Sequence, residues 1–419
     1  MTRLAGSGRN GTEARGEVMS GRSSFLALSF SSVGHYFTHL LMLLYPTVVV
    51  AIEGTWGLSY GELLALATPG FVLYGLAALP AGWFGDRWSA EHMMELFFVG
   101  SGLSAVATGL AQGPWGLAAG LAAIGFFGSI YHPVGIAWLV RHAENRGRAI
   151  GWNGIFGSLG LGSAALVAGA LTASFGWRAA FIVPGAVCLA TGLVLMLCMR
   201  SGTVVAATAD RRPEPAIDRA DAIRVFIVLS VTMLGSGLIG QVLQVAMPKV
   251  FVEGLPGLTA GGIVGAGGFV TLVFTVSAAA QLVGGWLADR FPQKPLYIVA
   301  FALQAPVFLA ATRFVDAPLV AAMTAVACLG TMGGTAENLL LARFTPARWR
   351  STAFGAKFVI ALGVSAAGVP LVGWSYDATG AFTQLFLLLS GITALTALAA
   401  FFLPGARRAS LAAATQPAE

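Results

Sequence analysis

His35 and His39 stand four residues apart, so on a helix both imidazoles project from one face. An imidazole titrates near neutral pH and both donates and accepts hydrogen bonds, which suits it to proton transfer and to holding a polar solute. Glu337 lies six residues before Arg343, and Lys357 lies seven after Arg350, each inside an apolar run. Ionisable side chains in hydrocarbon cost about 2.5–3.5 kcal/mol each on translocon scales, and they line pathways or pair with one another. Proton exchange and ion recognition are therefore the chemistry on offer. No nucleophile–base pair falls on matching helix faces, so no enzyme is expected. No Gly-x-x-x-x-Gly-Lys-Ser/Thr loop is present for ATP, and no cofactor is expected. Paired histidines can bind a metal, but two ligands without a third are weak evidence for it, and no metal is expected.

The elements that carry these groups are apolar. Of 419 residues 57% are hydrophobic and only 10% charged, where a soluble surface needs about a quarter charged. A bilayer-crossing helix takes about 20 mostly apolar residues. Twelve such helices are expected, near 24–52, 59–84, 91–112, 115–141, 147–174, 178–199, 223–251, 260–288, 295–313, 316–342, 351–376 and 380–404. The fold class is thus an all-α membrane protein. Residues 1–23 and 405–419 read as disordered cytoplasmic tails, and the polar stretch 200–222, with Arg211, Arg212, Pro213, Glu214, Pro215 and Asp218, reads as a cytoplasmic linker. Residues 1–23 lack the apolar core of a signal peptide. The 55 glycines suit close helix packing in lipid.

Charge sets orientation. With the N-terminus inside, cytoplasmic segments hold 20 of the 24 Lys and Arg, leaving Arg178, Lys249, Arg313 and Lys357. This asymmetry predicts both termini in the cytoplasm and a multi-pass protein of the inner membrane. The net charge of +6 sits in short loops, so nucleic acid is not a partner. Cys188, Cys198 and Cys328 fall in apolar runs without disulfide or metal spacing.

The two halves, 24–199 and 223–404, repeat. Gly82-Trp-Phe-Gly-Asp86-Arg87 recurs as Gly285-Trp-Leu-Ala-Asp289-Arg290 at an offset of 203. Pro46 matches Pro248 at an offset of 202, and Ala149-Ile150-Gly151 matches Ala353-Phe354-Gly355 at 204. Parallel six-helix repeats place a solute site at their interface, and rocking about it gives alternating access. Ser59-x-x-Glu62 is a capping box that opens helix 2. Trp56, Trp88, Trp115, Trp177, Trp349 and Trp374 stand near helix ends, as an aromatic belt requires.

At the loop after helix 2 the chain resembles the major facilitator superfamily, whose signature there is Gly-x-x-x-Asp-Arg. Gly82 to Arg87 fits it, and so does the second copy, Gly285 to Arg290 with Lys294. Gly176-Trp177-Arg178 before Phe181 is similar to the superfamily's turn between helices 5 and 6. The resemblance covers residues 24–404 and implies two pseudo-symmetric six-helix bundles. It also implies a gating role for Gly82, Asp86, Arg87, Gly285, Asp289 and Arg290, with each aspartate linking the halves when the inner side is closed. A carboxylate at a helix N-terminus makes such a link favourable; a solvated aspartate in a plain turn is the alternative. Trp88, Ser89, Ala90, Glu91 and His92 replace the basic cluster that follows the signature. Helix 4 lacks the arginine of proton-coupled drug antiporters. Helix 5 has Gly157, Gly160, Gly162 and Gly169 but no Gly-Pro pair. Gly128-Ser-Ile-Tyr-His132-Pro133, and His39 ahead of Tyr45-Pro46, resemble the fosmidomycin-resistance branch.

At 1.5 Å per residue His35 and His39 sit roughly 16 and 22 Å from the cytoplasmic end. Their role is solute binding or proton coupling, or else plain helix–helix hydrogen bonding. Gly237 and Gln241 are their repeat equivalents on helix 7. Glu337 and Lys357 lie roughly 9–10 Å from that end, with His132 and Asn153 at similar depth. This layer has three readings: a solute site, a Glu337–Lys357 pair that closes an inner gate, or a lysine snorkelling to the headgroups. Asn338, Tyr36, Tyr45 and Tyr131 add polar tips that also serve in packing. The interior is neutral to positive, which predicts an anionic solute. The expected partners are that small solute, protons and lipid, and the expected state is a monomer. The expected activity is secondary transport, with proton-coupled efflux ahead of organic-anion import by a symporter or facilitator, or of a non-transporting receptor on the same scaffold.

Overall fold

The computed structural model describes residues 7–204, 219–259, 262–345 and 355–403, with side chains described from Ser23 onward except at 146–147, 219–222 and 342. Every regular element among them is helical. Eleven helices are long and apolar enough to cross a bilayer: α1 (Ser23–Ala51), α2 (Tyr60–Arg87), α4 (Pro114–His142), α5 (Arg148–Phe175), α6 (Ala179–Arg200), α7 (Ile223–Gly254), α8 (Gly262–Arg290), α9 (Gln293–Ala311), α10 (Asp316–Leu341), α11 (Gly355–Thr379) and α12 (Thr383–Ala400). The twelfth, α3 (Ala90–Gly109), begins with Glu91, His92 and Glu95, which dilute its apolar character.

Local signals place the helix ends. Ser59 Oγ accepts from the Glu62 amide at 3.2 Å while Glu62 returns to the Ser59 amide at 2.8 Å, completing the capping box. Asn145 accepts from the Arg148 amide, and Gly176 ends α5 at φ 83°, a conformation without cost to glycine. Arg178 carries that turn back to the end of α3, donating to the Ala111 carbonyl. The helix preceding α1's bend runs from Ser7 to Leu43, so helical backbone enters the stretch expected as a tail. The linker core 205–218, the tail 405–419, Trp349, Ala353 and Phe354 lie outside the described residues.

The surface is oily. Leu103, Leu197, Leu282 and Leu395 are each more than half exposed. Water would not tolerate so continuous an apolar face, whereas lipid does. Trp88, Trp115 and Trp374 are exposed at helix ends, the level of the headgroups.

Glycine sets the closest approaches. A Cβ on Gly125 would sit 1.9 Å from the Gly70 carbonyl oxygen, so α2 and α4 touch backbone to backbone. Gly125→Ala is expected to force these helices apart, costing about 1–3 kcal/mol as overpacking does; a lower melting temperature in detergent checks it, and an unchanged one contradicts the packing. Three helices are also irregular. α1 bends where Tyr45–Ala51 restarts with Pro46 in its first turn. α4 passes through a π turn at Tyr131–Gly135, where Pro133 offers no amide for the α ladder. α11 has another at Val359–Gly363. The first π turn carries His132, and the second follows Lys357 by two residues.

Candidate functional site

The polar groups expected in one layer form two clusters, one in each half. In the second half Glu337, only 2% exposed, sits on α10. Its Oε1 lies 2.7 Å from Lys357 Nζ of α11. Its Oε2 accepts from Tyr297 of α9 at 2.7 Å and from Ser236 of α7 at 2.9 Å. Lys357 also donates to Asn338 Oδ1 at 2.5 Å. Four helices thus converge on one carboxylate. The snorkelling reading of Lys357 is corrected: its ammonium turns inward because an ion pair in low dielectric outweighs a reach for the headgroups. Both partners belong to the second half, so the pair by itself makes no contact between the halves.

The first half holds the imidazoles. His35, His39 and His132 meet with ring centroids 5.1 to 5.5 Å apart. His35 Nδ1 is 2.8 Å from the Asn153 carbonyl of α5. The Asn153 amide donates to the Tyr131 hydroxyl at 2.8 Å, and Tyr131 stacks on the His35 ring. Tyr36 accepts from Ser163 at 3.2 Å, a second α1–α5 bond. His132 and Asn153 were expected well below His35. They share its level, as the His35–Asn153 contact and the His35–His132 ring contact show, because residue counts along separate helices leave out tilt and the π turn that carries His132.

Gln241 is buried on α7, and its Nε2 has no partner among the described residues. It does not line the cavity between the halves, a space of about 230 Å³ walled by α5, α7, α8, α9 and α10. The polar lining there is Ser158, Ser236, Gln244, Ser277, Gln281, Gln304 and Thr331. Gln304 donates to its own helix and leaves its buried Oε1 unpartnered. Ser236 belongs to both places: it walls the cavity and donates to Glu337. Its hydroxyl therefore links the ion pair to the cavity wall. Ser158, Ser236, Gln244, Ser277, Gln281, Gln304 and Thr331 carry no charge to mark them in an apolar run, although Gln244 shares a helix face with Gln241.

The halves are latched at the end of the bundle opposite the chain termini. Lys249 of α7 is 2.5 Å from Glu53, just beyond α1, and 3.0 Å from Glu253. Its ammonium also lies over the rings of Tyr60 and Tyr376. Tyr376 donates to Glu253. Asp377 of α11 accepts from Ser59 Oγ at 2.5 Å and from the Gly61 amide at 3.1 Å. A carboxylate here meets the N-terminus of α2 in the other half, where the helix dipole is positive. That is the arrangement expected of Asp86 and Asp289 at the terminal end. Both of these are exposed, and no hydrogen bond or ion pair holds either among the described residues. Arg87 and Arg290 instead lie over Trp83 and Trp286, one turn back, at 4.3 and 4.2 Å, the same contact in both copies. Gly82 packs toward Pro133, and Gly285 faces open space. Lys294 caps α12, donating to the carbonyls of Phe401 and Leu403.

A family model described as the Major Facilitator Superfamily matches residues 25–277. A probable 4-methylmuconolactone transporter of Cupriavidus pinatubonensis (strain JMP 134 / LMG 1197) is 26% identical over 352 residues, covering 79% of each chain. Among solved structures, an inward-facing, occupied bacterial homolog of the human lysosomal transporter Spinster superposes with a TM-score of 0.70 at 18% identity, covering 91% of this chain and 94% of that one. A peptide transporter POT in complex with sulfate gives 0.73 at 14% identity, with coverage of 90% and 94%. At such identities the structural likeness speaks for the fold.

Proposed function

Since the chain belongs to the major facilitator superfamily of membrane transporters, we propose that it carries a small organic anion together with a proton, by alternating access to the cavity between its halves. The observation that carries this is the Glu337 carboxylate, buried, paired with Lys357 and hydrogen-bonded to Ser236 of the cavity wall. A proton on Glu337 neutralises its carboxylate and leaves the Lys357 ammonium available to the carboxylate of a solute. Proton and anion then bind together, and neither crosses as an uncompensated charge. Anion binding to unprotonated protein would have to compete with Glu337 itself. The lactone named for the 26% identical relative supports the reading, because closing a muconic acid into a lactone leaves one carboxylate free.

Orientation follows from the basic residues, which favour a cytoplasmic location for both termini. The Lys249–Glu53 and Asp377–Ser59 contacts then close the outer side, and the cavity waits on the cytoplasm. Release of those contacts, with docking of Asp86 and Asp289 at the inner side, would be the opposite state.

Efflux by antiport, which the helix 4 run favours, requires proton and solute to exclude each other. The two modes differ in charge. One proton with one monoanion moves no net charge, whereas exchange of a proton for an anion is electrogenic. In proteoliposomes with an inward proton gradient, labelled muconolactone-type acids are expected to accumulate without current. A current that reverses with the anion gradient refutes symport in favour of antiport, and the absence of any flux refutes transport of this class.

A further inference from the structure

We propose that His35, His39 and His132 form a binding site for one divalent transition-metal ion, Zn²⁺ foremost, between α1 and α4 of the first half. The proposal is independent of the transport reading, whose proton carrier is Glu337 on the other half.

The geometry is convergent. One ring nitrogen from each of the three histidines lies within 4.8 Å of the other two. A tetrahedral zinc holds its imidazole nitrogens at 2.0–2.1 Å, hence about 3.4 Å from one another. Small χ rotations close that difference. The rings nevertheless make no hydrogen bond with each other among those found for the described residues. Three histidines kept together only for helix packing would be expected to share one.

Their outward atoms fit ligands. His35 Nδ1 lies 2.8 Å from the Asn153 carbonyl, which accepts only, so the proton is on Nδ1 and Nε2 presents its lone pair. Metal-bound histidines are held in this way, by a carbonyl or carboxylate on the far nitrogen. The backbone of α5 supplies the room: a Cβ on Gly157 would lie 2.5 Å from His35 Nε2. His132 Nδ1 is buried with no partner among the described residues, and an orphaned buried nitrogen is costly unless something not yet bound satisfies it. The rings are also clamped. Tyr131 stacks on His35 at 5.0 Å and 22°, and Phe358 of α11 stacks on His132 at 5.2 Å and 19°. Fixed rings reduce the ordering cost of binding an ion.

The donor set selects the ion. Three neutral imidazoles with no carboxylate suit Zn²⁺, Cu²⁺, Ni²⁺ or Co²⁺ and reject Mg²⁺ and Ca²⁺, which want oxygen. Three protein ligands leave a fourth position open to water or an anion.

The test uses the full chain purified without a histidine tag. Titration with Co²⁺ is expected to give the visible bands of a four-coordinate ion at one equivalent, displaced by Zn²⁺. His39→Asn and His132→Asn are expected to weaken binding about 100-fold or more, while His92→Ala, an exposed histidine of α3, leaves it unchanged. If either cluster variant fails to fold, imidazole modification by diethylpyrocarbonate in wild type decides: one equivalent of Zn²⁺ should protect these three histidines selectively. No Co²⁺ bands in the wild type, equal binding by folded cluster variants, or modification indifferent to Zn²⁺ each overturns the proposal.

Discussion

Glu337→Gln abolishes solute accumulation driven by a pH gradient while exchange of labelled for unlabelled solute persists. The amide still accepts from Tyr297 and Ser236, so the local packing survives, but it neither binds a proton nor balances Lys357. The transporter then behaves as if permanently protonated at this position: it equilibrates solute and ignores pH. Accumulation that still follows the gradient in this variant would remove Glu337 as the proton carrier. The converse replacement, Lys357→Met, strands a carboxylate that is 2% exposed. Removing one partner of a buried pair costs about 3–5 kcal/mol, because the remaining charge stays desolvated. The double variant Glu337→Gln/Lys357→Met is expected to recover most of that stability, since a pair replaced by neutral groups is close to neutral in energy. It is not expected to recover transport. Thermal melts of the four proteins give the coupling energy directly, and simple additivity would mean that the pair does not act as a unit.

The second large effect lies at the other end of the bundle. Lys249→Met should open the side that the structure shows latched. The ammonium is buried between Glu53 and Glu253 and gives α1 its charged contact with α7. Without it, two carboxylates face one another and repel, while the Asp377 contacts with α2 remain. A loss of about 3 kcal/mol shifts a two-state ratio by roughly two orders of magnitude. A state populated near 1% therefore becomes comparable to the other. Cysteine placed at Ser158, on the cavity wall, reports this in a background where Cys188, Cys198 and Cys328 are replaced. Its labelling in intact cells by an impermeant thiol reagent should rise many-fold in Lys249→Met. Unchanged labelling would show that the backbone contacts alone hold the latch. One such contact is the approach of Gly75 to Gly363, where a Cβ would lie 2.1 Å from the Gly363 amide nitrogen.

The sequence alone was enough for the twelve crossings, the doubled architecture and the family. Each rests on information local to a segment: a run of apolar residues long enough for hydrocarbon, Ser59 three residues before Glu62, or one motif repeated at a constant offset. It also singled out Glu337, Lys357, His35 and His39, because an ionisable side chain in an apolar run is anomalous wherever the helix sits. What those residues face was decided only by the tertiary structure. Lys357 turned out to pair within its own half, and His132 joined two histidines assigned to a different depth. Lys249, which reads in sequence as a plain charge at a helix end, became the centre of a latch. The Asp86 and Asp289 motifs show where a docking carboxylate is expected, yet the one found docked is Asp377, which no motif marks. The physical reason is that bilayer insertion depends on the composition of each span by itself, whereas partners across helices depend on tilt, rotation and bends. A π turn at Tyr131–Gly135 or the bend at Tyr45 changes which face a side chain presents, and neither is visible in hydropathy.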